Sequence, residues 1–219
     1  SATLGELAGY FKVTRQIHLG LEIIRCKGWN REMYQPDWQL PFVPTSPAIT
    51  NFAAMLFYPG ICLLEATNLS EGRGSAYSFT AIAAPWLQPD TLHDSLSAIS
   101  LETVQAVPVQ FTPNAPQVKY PGQLCKGVQL LPAAGYAISP VQFGMHAIRL
   151  IKDRYPDHFR WQPYPTLVNP DGSGHLEKLL GRSGMTALFE LPLPKFHASV
   201  AKLTRCAEWV NEINPHLLY

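Results

Sequence analysis

Between Glu65 and Ser75 the chain reads EATNLSEGRGS, a dense set of carboxylates, amide, guanidinium and hydroxyls. Glu65 and Glu71 could act as a general acid and as a nucleophile or base, the pair that glycoside hydrolysis uses. Their separation across a turn does not fix the distance between the carboxyl groups, so retaining and inverting chemistry both stay open. Equally, Glu65 could bond loop backbone while Glu71 pairs with Arg73. Arg73 could hold a carboxylate through its planar fork, or remain in that local ion pair. Gly72 and Gly74 would let backbone approach a ligand. Thr67, Asn68 and Ser70 would then line a pocket wall, where the plainer reading is a solvated glycine-rich loop.

Aromatic residues form the second candidate group. Trp29, Tyr34 and Trp38 could stack on the C–H face of a sugar, although packing is the commoner role of such rings. Asp37 is a further carboxylate, or a turn cap. The seven histidines are scattered without HExxH or HxH spacing, so a metal site is not expected and no cofactor is implied. There is no G-x-S-x-G elbow and no P-loop. The four cysteines form no CxxC pair, which excludes a zinc ribbon. Cys26 and Cys62 lie in apolar stretches and Cys206 on a helical face, the pattern of buried thiols, with a disulfide left open.

These residues need a scaffold. Thr3 and Glu6 form a capping box, and Leu4, Leu7, Ala8 and Phe11 follow at helical spacing. Residues 19–26 (LGLEIIRC) suit a strand. Residues 27–50, with Pro36, Pro41, Pro44 and Pro47, admit neither a long helix nor a central strand. Residues 51–58 predict a helix interrupted by Pro59-Gly60, and 61–66 could be helix or strand. Residues 78–84 read as a strand, 90–99 as a helix with Leu92, Leu96 and Ile99 on one side. Residues 104–111 read as an edge or bulged strand because of Pro108, 112–122 as a loop and 127–131 as a strand. Ser139-Pro140 opens a strong helix with Val141, Met145, Ile148 and Ile151 as its buried stripe and Tyr155-Pro156 as its end. Residues 175–180 suit a short helix, and 195–214 one amphipathic helix stopped by Pro215. The sum is an α/β fold: a small mixed β-sheet covered by helices, with long Pro- and aromatic-rich loops.

The chain's 219 residues, 47% hydrophobic, suffice for a real core, read here as a single domain over 1–219. Net charge is +1 from 17 basic and 16 acidic residues, with no basic stripe, which argues against nucleic acid. No apolar run approaches the roughly 20 residues of a membrane span. The opening SATLGELAGYF does not read as a secretion signal.

The central stretch resembles the E-G-T-N-x-S-E-G-R-G-T signature of the NamZ-type exo-β-N-acetylmuramidases, bacterial glycoside hydrolases that remove terminal N-acetylmuramic acid from peptidoglycan fragments. Other matches follow in order. Lys27 to Tyr34 is similar to K-G-W-x-R-x-M-Y, and Pro44-Thr45-Ser46-Pro47 to P-x-S-P-N. Ala84-Pro85-Trp86 follows the signature. Phe111-Thr112-Pro113 and Leu124 to Leu130 resemble F-T-P and L-C-x-G-V-Q-L, and Pro215 to Tyr219 resembles P-Y-L-L-Y. The resemblance implies the C-terminal part of such an enzyme. The family's Rossmann-like N-terminal half, with a glutamate in an S-P-E-H-G motif held responsible for catalysis, is then a possible partner domain, on a separate chain or on a longer form of this one. Glu65 and Glu71 remain the candidate catalytic carboxylates of this chain on their chemistry, and the resemblance implies that they line the sugar subsite. Asn68, Arg73, Thr67, Ser70, Trp29 and Tyr34 would bind a peptidoglycan-derived sugar, with Arg73 on its lactyl carboxylate. The compartment implied is periplasmic or extracellular. Ala66, Ala48 and Ala83 replace family residues (glycine, asparagine and glycine), which suggests a divergent pocket. A non-catalytic cell-wall-binding module, or a domain kept for protein contact, are the alternatives.

Overall fold

The computed structural model describes residues 2–100, 104–133 and 136–219, and for residues 97–100 the backbone alone. Its helices are α1 (Leu4–Thr14), α2 (Phe52–Ile61), α3 (Pro89–Ser100), α4 (Pro140–Arg154), α5 (His175–Leu180), α6 (Met185–Leu188), α7 (Leu193–Arg205) and α8 (Ala207–Ile213). Its strands are β1 (Ala81–Ala84), β2 (Val104–Phe111) and β3 (Cys125–Pro132). The expected single domain spans two compact units: Ser1–Pro41 with Lys202–Tyr219, and Phe42–Ala201.

In the first unit the predicted capping box is present. Thr3 Oγ1 accepts from the Glu6 amide, and Glu6 accepts from the Thr3 amide at 2.6 Å. Glu6 is fully buried, and it also binds Arg31 at 2.6 Å and the Leu218 amide at 2.7 Å. One carboxylate therefore ties the first helical turn, the 31 loop and the C-terminal segment together. Burial opposes its ionisation, but Arg31, the Leu218 amide and Thr3 outweigh burial and hold the carboxyl at about 2, against an ordinary 4.5. A depressed carboxyl stabilises fully above the unfolded value and loses that contribution as pH falls through the folded one. Acid should thus weaken this unit between about pH 4.5 and 2 by up to about 3 kcal/mol. Glu6→Gln should remove most of that acid slope in urea titrations followed by circular dichroism.

Two expectations fail in this unit. Residues 19–26 form no strand, because a strand needs a neighbour to take its backbone hydrogen bonds and none of the described residues does so. The amphipathic helix predicted over 195–214 is two helices, broken at Cys206, which adopts φ 46°. Asp37 is a turn cap, accepting from the Tyr34 amide at 2.7 Å.

The second unit holds a three-stranded antiparallel sheet in the order β1-β3-β2. Pro108 lies in edge strand β2 opposite Val128, as its missing N–H requires. Gly127 of β3 faces Ala83, and a Cβ there would meet the Ile82 carbonyl oxygen at 2.0 Å. Helix α3 packs on β2 and β3, with Leu92 and Leu96 buried. Its third apolar position, Ile99, lies outside the described side chains. Helix α2 is capped by Asn51, which accepts from the Ala54 amide at 2.9 Å. It runs through Pro59-Gly60 rather than stopping there, because it is clamped on α4. A Cβ on Gly60 would lie 1.9 Å from the Pro140 carbonyl oxygen, and one on Gly144 would lie 2.3 Å from the Gly60 oxygen. Beyond α2 the chain tightens into a 3-10 turn, Cys62–Ala66, settling the choice left open for 61–66. In α4, Met145, Ile148 and Ile151 are fully buried and Val141 half-buried; Ser139 occupies the N-cap position without a side-chain bond.

All four cysteines are free thiols; the expectation of burial holds for Cys62 but not for the exposed Cys26 and Cys206, and Cys125 is buried as well. Burial, with the nearby Glu65, pushes Cys62 up to about 12, and burial alone pushes Cys125 to about 11. The thiolate is the reactive form. At pH 8 a maleimide should therefore label Cys26 and Cys206 in the native chain, with Cys62 and Cys125 reacting only in denaturant; mass spectrometry reads the difference.

Candidate functional site

The loop after the Cys62–Ala66 turn is built by its own polar side chains. Thr67 is fully buried; its hydroxyl donates to the Leu64 carbonyl at 2.8 Å and accepts from the Leu69 amide at 3.1 Å. Asn68 donates to the His158 carbonyl and accepts from the Arg160 amide, both at 2.8 Å, which fixes residues 158–160 alongside the loop. Ser70 pairs with Ala83 of β1 through both backbone groups, at 2.7 and 3.1 Å, and its hydroxyl accepts from the Gly72 amide. Gly72 sits at φ 82°, and a Cβ there would meet the Tyr77 carbonyl oxygen at 2.2 Å. Thus Thr67, Asn68 and Ser70, anticipated as pocket wall, spend their side chains on holding the loop.

What the loop presents is a chain of charges. Arg73 Nη2 donates to Glu65 Oε1, and Nη1 donates to the Tyr164 hydroxyl. The other Glu65 oxygen lies 3.0 Å from His175 Nε2, at the start of α5. Glu71 Oε1 is 3.8 Å from Arg73 Nε, and Oε2 is 3.1 Å from Lys119 Nζ. Lys119 also donates to the Leu64 and Leu69 carbonyls, at 2.6 and 2.7 Å. An ammonium has three donors, and three acceptors meet it here. Burial pulls the Lys119 pKa down, against the upward pull of Glu71 and Glu65. Burial and the two glutamates push the Tyr164 hydroxyl up, partly countered by Arg73, so it stays a protonated donor and acceptor.

Exposure separates the roles. The side chains of Glu65, Glu71, Lys119 and His175 are 7%, 3%, 9% and 10% exposed, while Arg73 is 29% exposed. The Arg73 guanidinium lies 4.8 Å from the centroid of Phe79, which is held at φ 55°. A non-glycine residue in that region is uncommon and marks a loop fixed by its surroundings. Two of the five guanidinium donors are taken by Glu65 and Tyr164, and Nε is buried with no hydrogen-bond partner among the described residues, so what the guanidinium has left to offer is the second donor on Nη1 and on Nη2. The arrangement can therefore offer a pre-oriented cation to an incoming anion.

His175 also lines a cleft of about 200 Å³ with Ala66, Trp161, Gly172 and Thr186. This is below the ~300–1,000 Å³ of whole-ligand pockets, so the cleft suits one end of a ligand. Of the substituted alanines, Ala66 lines this cleft, Ala83 is buried against Phe111 and Cys125, and Ala48 is half-buried in its own turn. They do not surround one pocket. Trp29 and Tyr34 belong to the other unit, where the Trp29 ring packs edge-on to Tyr219 at 4.8 Å. Sequence reasoning missed Lys119, Tyr164, His175 and Phe79. Each is a single residue in a loop or at an element end, with no spacing signal toward Glu65 or Glu71.

Comparison with known proteins identifies the family. The family model described as "Exo-beta-N-acetylmuramidase NamZ, C-terminal" matches residues 56–219. The one described as "Exo-beta-N-acetylmuramidase NamZ, N-terminal" matches residues 1–53, so the chain carries more than a C-terminal part alone. A peptidoglycan β-N-acetylmuramidase NamZ of Bacillus subtilis (strain 168) is 33% identical over 188 residues, covering 86% of this chain and 43% of that protein. Two solved DUF1343 family proteins of Bacteroides fragilis share the fold, with TM-scores of 0.82 and 0.60 at 20% and 22% identity. Both alignments cover 100% of this chain, and 56% and 55% of theirs. The chain thus spans about half the length of these relatives, and it belongs to the NamZ exo-β-N-acetylmuramidase family.

Proposed function

We propose that this chain carries the substrate-binding, C-terminal part of an exo-acting β-N-acetylmuramidase that removes terminal N-acetylmuramic acid from peptidoglycan fragments. The observation that carries the reading is Arg73: the most exposed charge of the network, aimed by Glu65 and Tyr164 and backed by Phe79. Its free donors suit the lactyl carboxylate that distinguishes muramic acid from glucosamine. Glu65 is the carboxylate nearer the cleft, through His175, and is assigned to the sugar. Glu71, bound by buried Lys119, is a positioning residue that holds the Arg73 loop, and Thr67, Asn68 and Ser70 shape that loop. Trp29 and Tyr34 are given no place in this site. Most glycoside hydrolases use two working carboxyl groups, and of Glu65 and Glu71 the second is already held by a lysine. Hydrolysis accordingly requires the rest of the N-terminal half, with the sugar met outside the cytoplasm or in a recycling pool.

The test is release of N-acetylmuramic acid from a β-linked MurNAc-GlcNAc disaccharide. The chain alone should release none, and adding the N-terminal part of the Bacillus subtilis relative should give turnover. Release by the chain alone would contradict the dependence. Binding without turnover in the combined sample would favour a non-catalytic cell-wall-binding module. That second reading draws on Glu65, whose oxygens both already have partners in Arg73 and His175.

A further inference from the structure

A second cleft, of about 500 Å³, lies between α4 and α7, with Ser95 of α3 also on its wall. That volume falls within the ~300–1,000 Å³ of whole-ligand pockets. Helical spacing builds it. His146, Arg149, Leu150 and Asp153 follow at i, i+3, i+4 and i+7 on α4, and Leu193 and His197 at i and i+4 on α7. A row of three rings, Trp161, Phe189 and Phe196, with centroids 5.1 and 5.2 Å apart, runs from the cleft beside His175 to this one. Phe196 meets His146 edge-on at 5.5 Å and lies 5.3 Å below the Arg149 guanidinium.

The polar groups of this cleft are mostly donors. Arg149, only 12% exposed, gives Nε to Asp153 at 2.6 Å and Nη1 to the Leu191 carbonyl at 2.7 Å, which leaves Nη2 open among the described residues. Arg154 has no acidic partner among them, and the rings of His146 and His197 have no hydrogen bond. The two imidazoles meet edge-on at 4.8 Å. Burial, with His197 beside it, holds the His146 pKa below its ordinary value. The helix dipole accounts for cations in the last turn of α4, but not for two imidazoles brought against each other next to a buried guanidinium. Two guanidiniums and two imidazoles share one carboxylate, and Arg149 already holds it. An anion supplies the missing acceptors and relieves the crowding of like groups.

We propose that the cleft between α4 and α7 binds a small organic dianion, a phosphate monoester or a dicarboxylate, distinct from the sugar assigned to Arg73. Arg149 Nη2, Arg154 and the two imidazoles donate to its oxygens, and Leu150 and Leu193 lie against its carbon body. The inference stands whether or not the sugar reading does.

The experiment titrates the chain with glycerol 3-phosphate, glutarate and, as a monoanion control, acetate, all at one ionic strength. Calorimetry reads affinity, and the ring C–H resonances of His146 and His197 read location. At least one dianion should saturate at millimolar concentration or below and shift both rings, with acetate at least 10-fold weaker. Which dianion saturates identifies the head group. Arg154→Ala should weaken binding 10-fold or more, as expected for a charge-assisted hydrogen bond. Arg154 is exposed and unbonded, so that variant should melt like the parent. Lys152→Ala removes a charge from the same helix outside the cleft, where Lys152 pairs with Glu190, and should leave the affinity unchanged. No saturation by either dianion, shifts that spare both rings, or equal losses in Arg154→Ala and Lys152→Ala would overturn the proposal. Dianion binding abolished by Arg73→Ala would do the same, because the anion would then sit beside Glu65. Loss of muramic acid binding in Arg73→Ala with dianion binding intact would support two separate sites.

Discussion

Gly60→Ala is expected to destabilise the second unit by about 3 kcal/mol, lowering its melting temperature by roughly 10 °C. In an ordinary helix interior the same change would help by up to about 1 kcal/mol, because alanine restricts the unfolded chain and favours helix. Here the sign is reversed by geometry. The added methyl would sit 1.9 Å from the Pro140 carbonyl oxygen and 2.6 Å from its carbon, and both atoms are backbone. No rotamer relieves such a contact, so α2 must move away from α4. Gly144 faces Gly60 across the same crossing, and Gly144→Ala should behave alike. Gly9 in α1 has nothing within 4 Å of its Cβ position, and Gly9→Ala should be neutral or stabilising. Urea midpoints for the three variants check the claim. A Gly60→Ala protein as stable as the parent would mean that the α2–α4 crossing is looser than described.

Lys119→Met should cost about 3–5 kcal/mol, since it strands a buried carboxylate. Among the described residues Glu71 would keep only Arg73 Nε, at 3.8 Å, and the Leu64 and Leu69 carbonyls would lose the Lys119 donor. Adding Glu71→Gln should restore part of the loss, because an amide has a far smaller desolvation demand than a carboxylate. The coupling between the two changes separates the pair from the lysine's packing. If the double variant is no more stable than Lys119→Met, the ion pair is not what holds this loop.

The polar density of residues 65–75 was enough to single out the loop and to pair Glu71 with Arg73. The capping box, the edge strand with Pro108 and helix α4 were likewise legible, because each depends on local chemistry. Long-range partners were not. His175 reaches Glu65 across 110 positions and Lys119 reaches Glu71 across 48, and no local pattern encodes such meetings. Pro59-Gly60 reads as a helix stop, yet Gly60 is the residue that lets α4 approach and hold the helix through it. The break at Cys206 escaped notice because two consecutive helices can carry one apolar periodicity. Residues 19–26 alternate only partly around their Ile-Ile centre, and a strand also requires an edge to pair with.

The most direct measurement of the central claim is calorimetric titration of the chain with N-acetylmuramic acid and with N-acetylglucosamine, which lacks the lactyl group. The account predicts tighter binding of the muramic sugar, by ~10-fold or more for hydrogen bonds to a charged group. That preference should vanish in Arg73→Ala and shrink in Arg73→Lys, which keeps the charge without the fork. Equal affinity for the two sugars, a preference that survives Arg73→Ala, or no binding of either at millimolar concentration would contradict it.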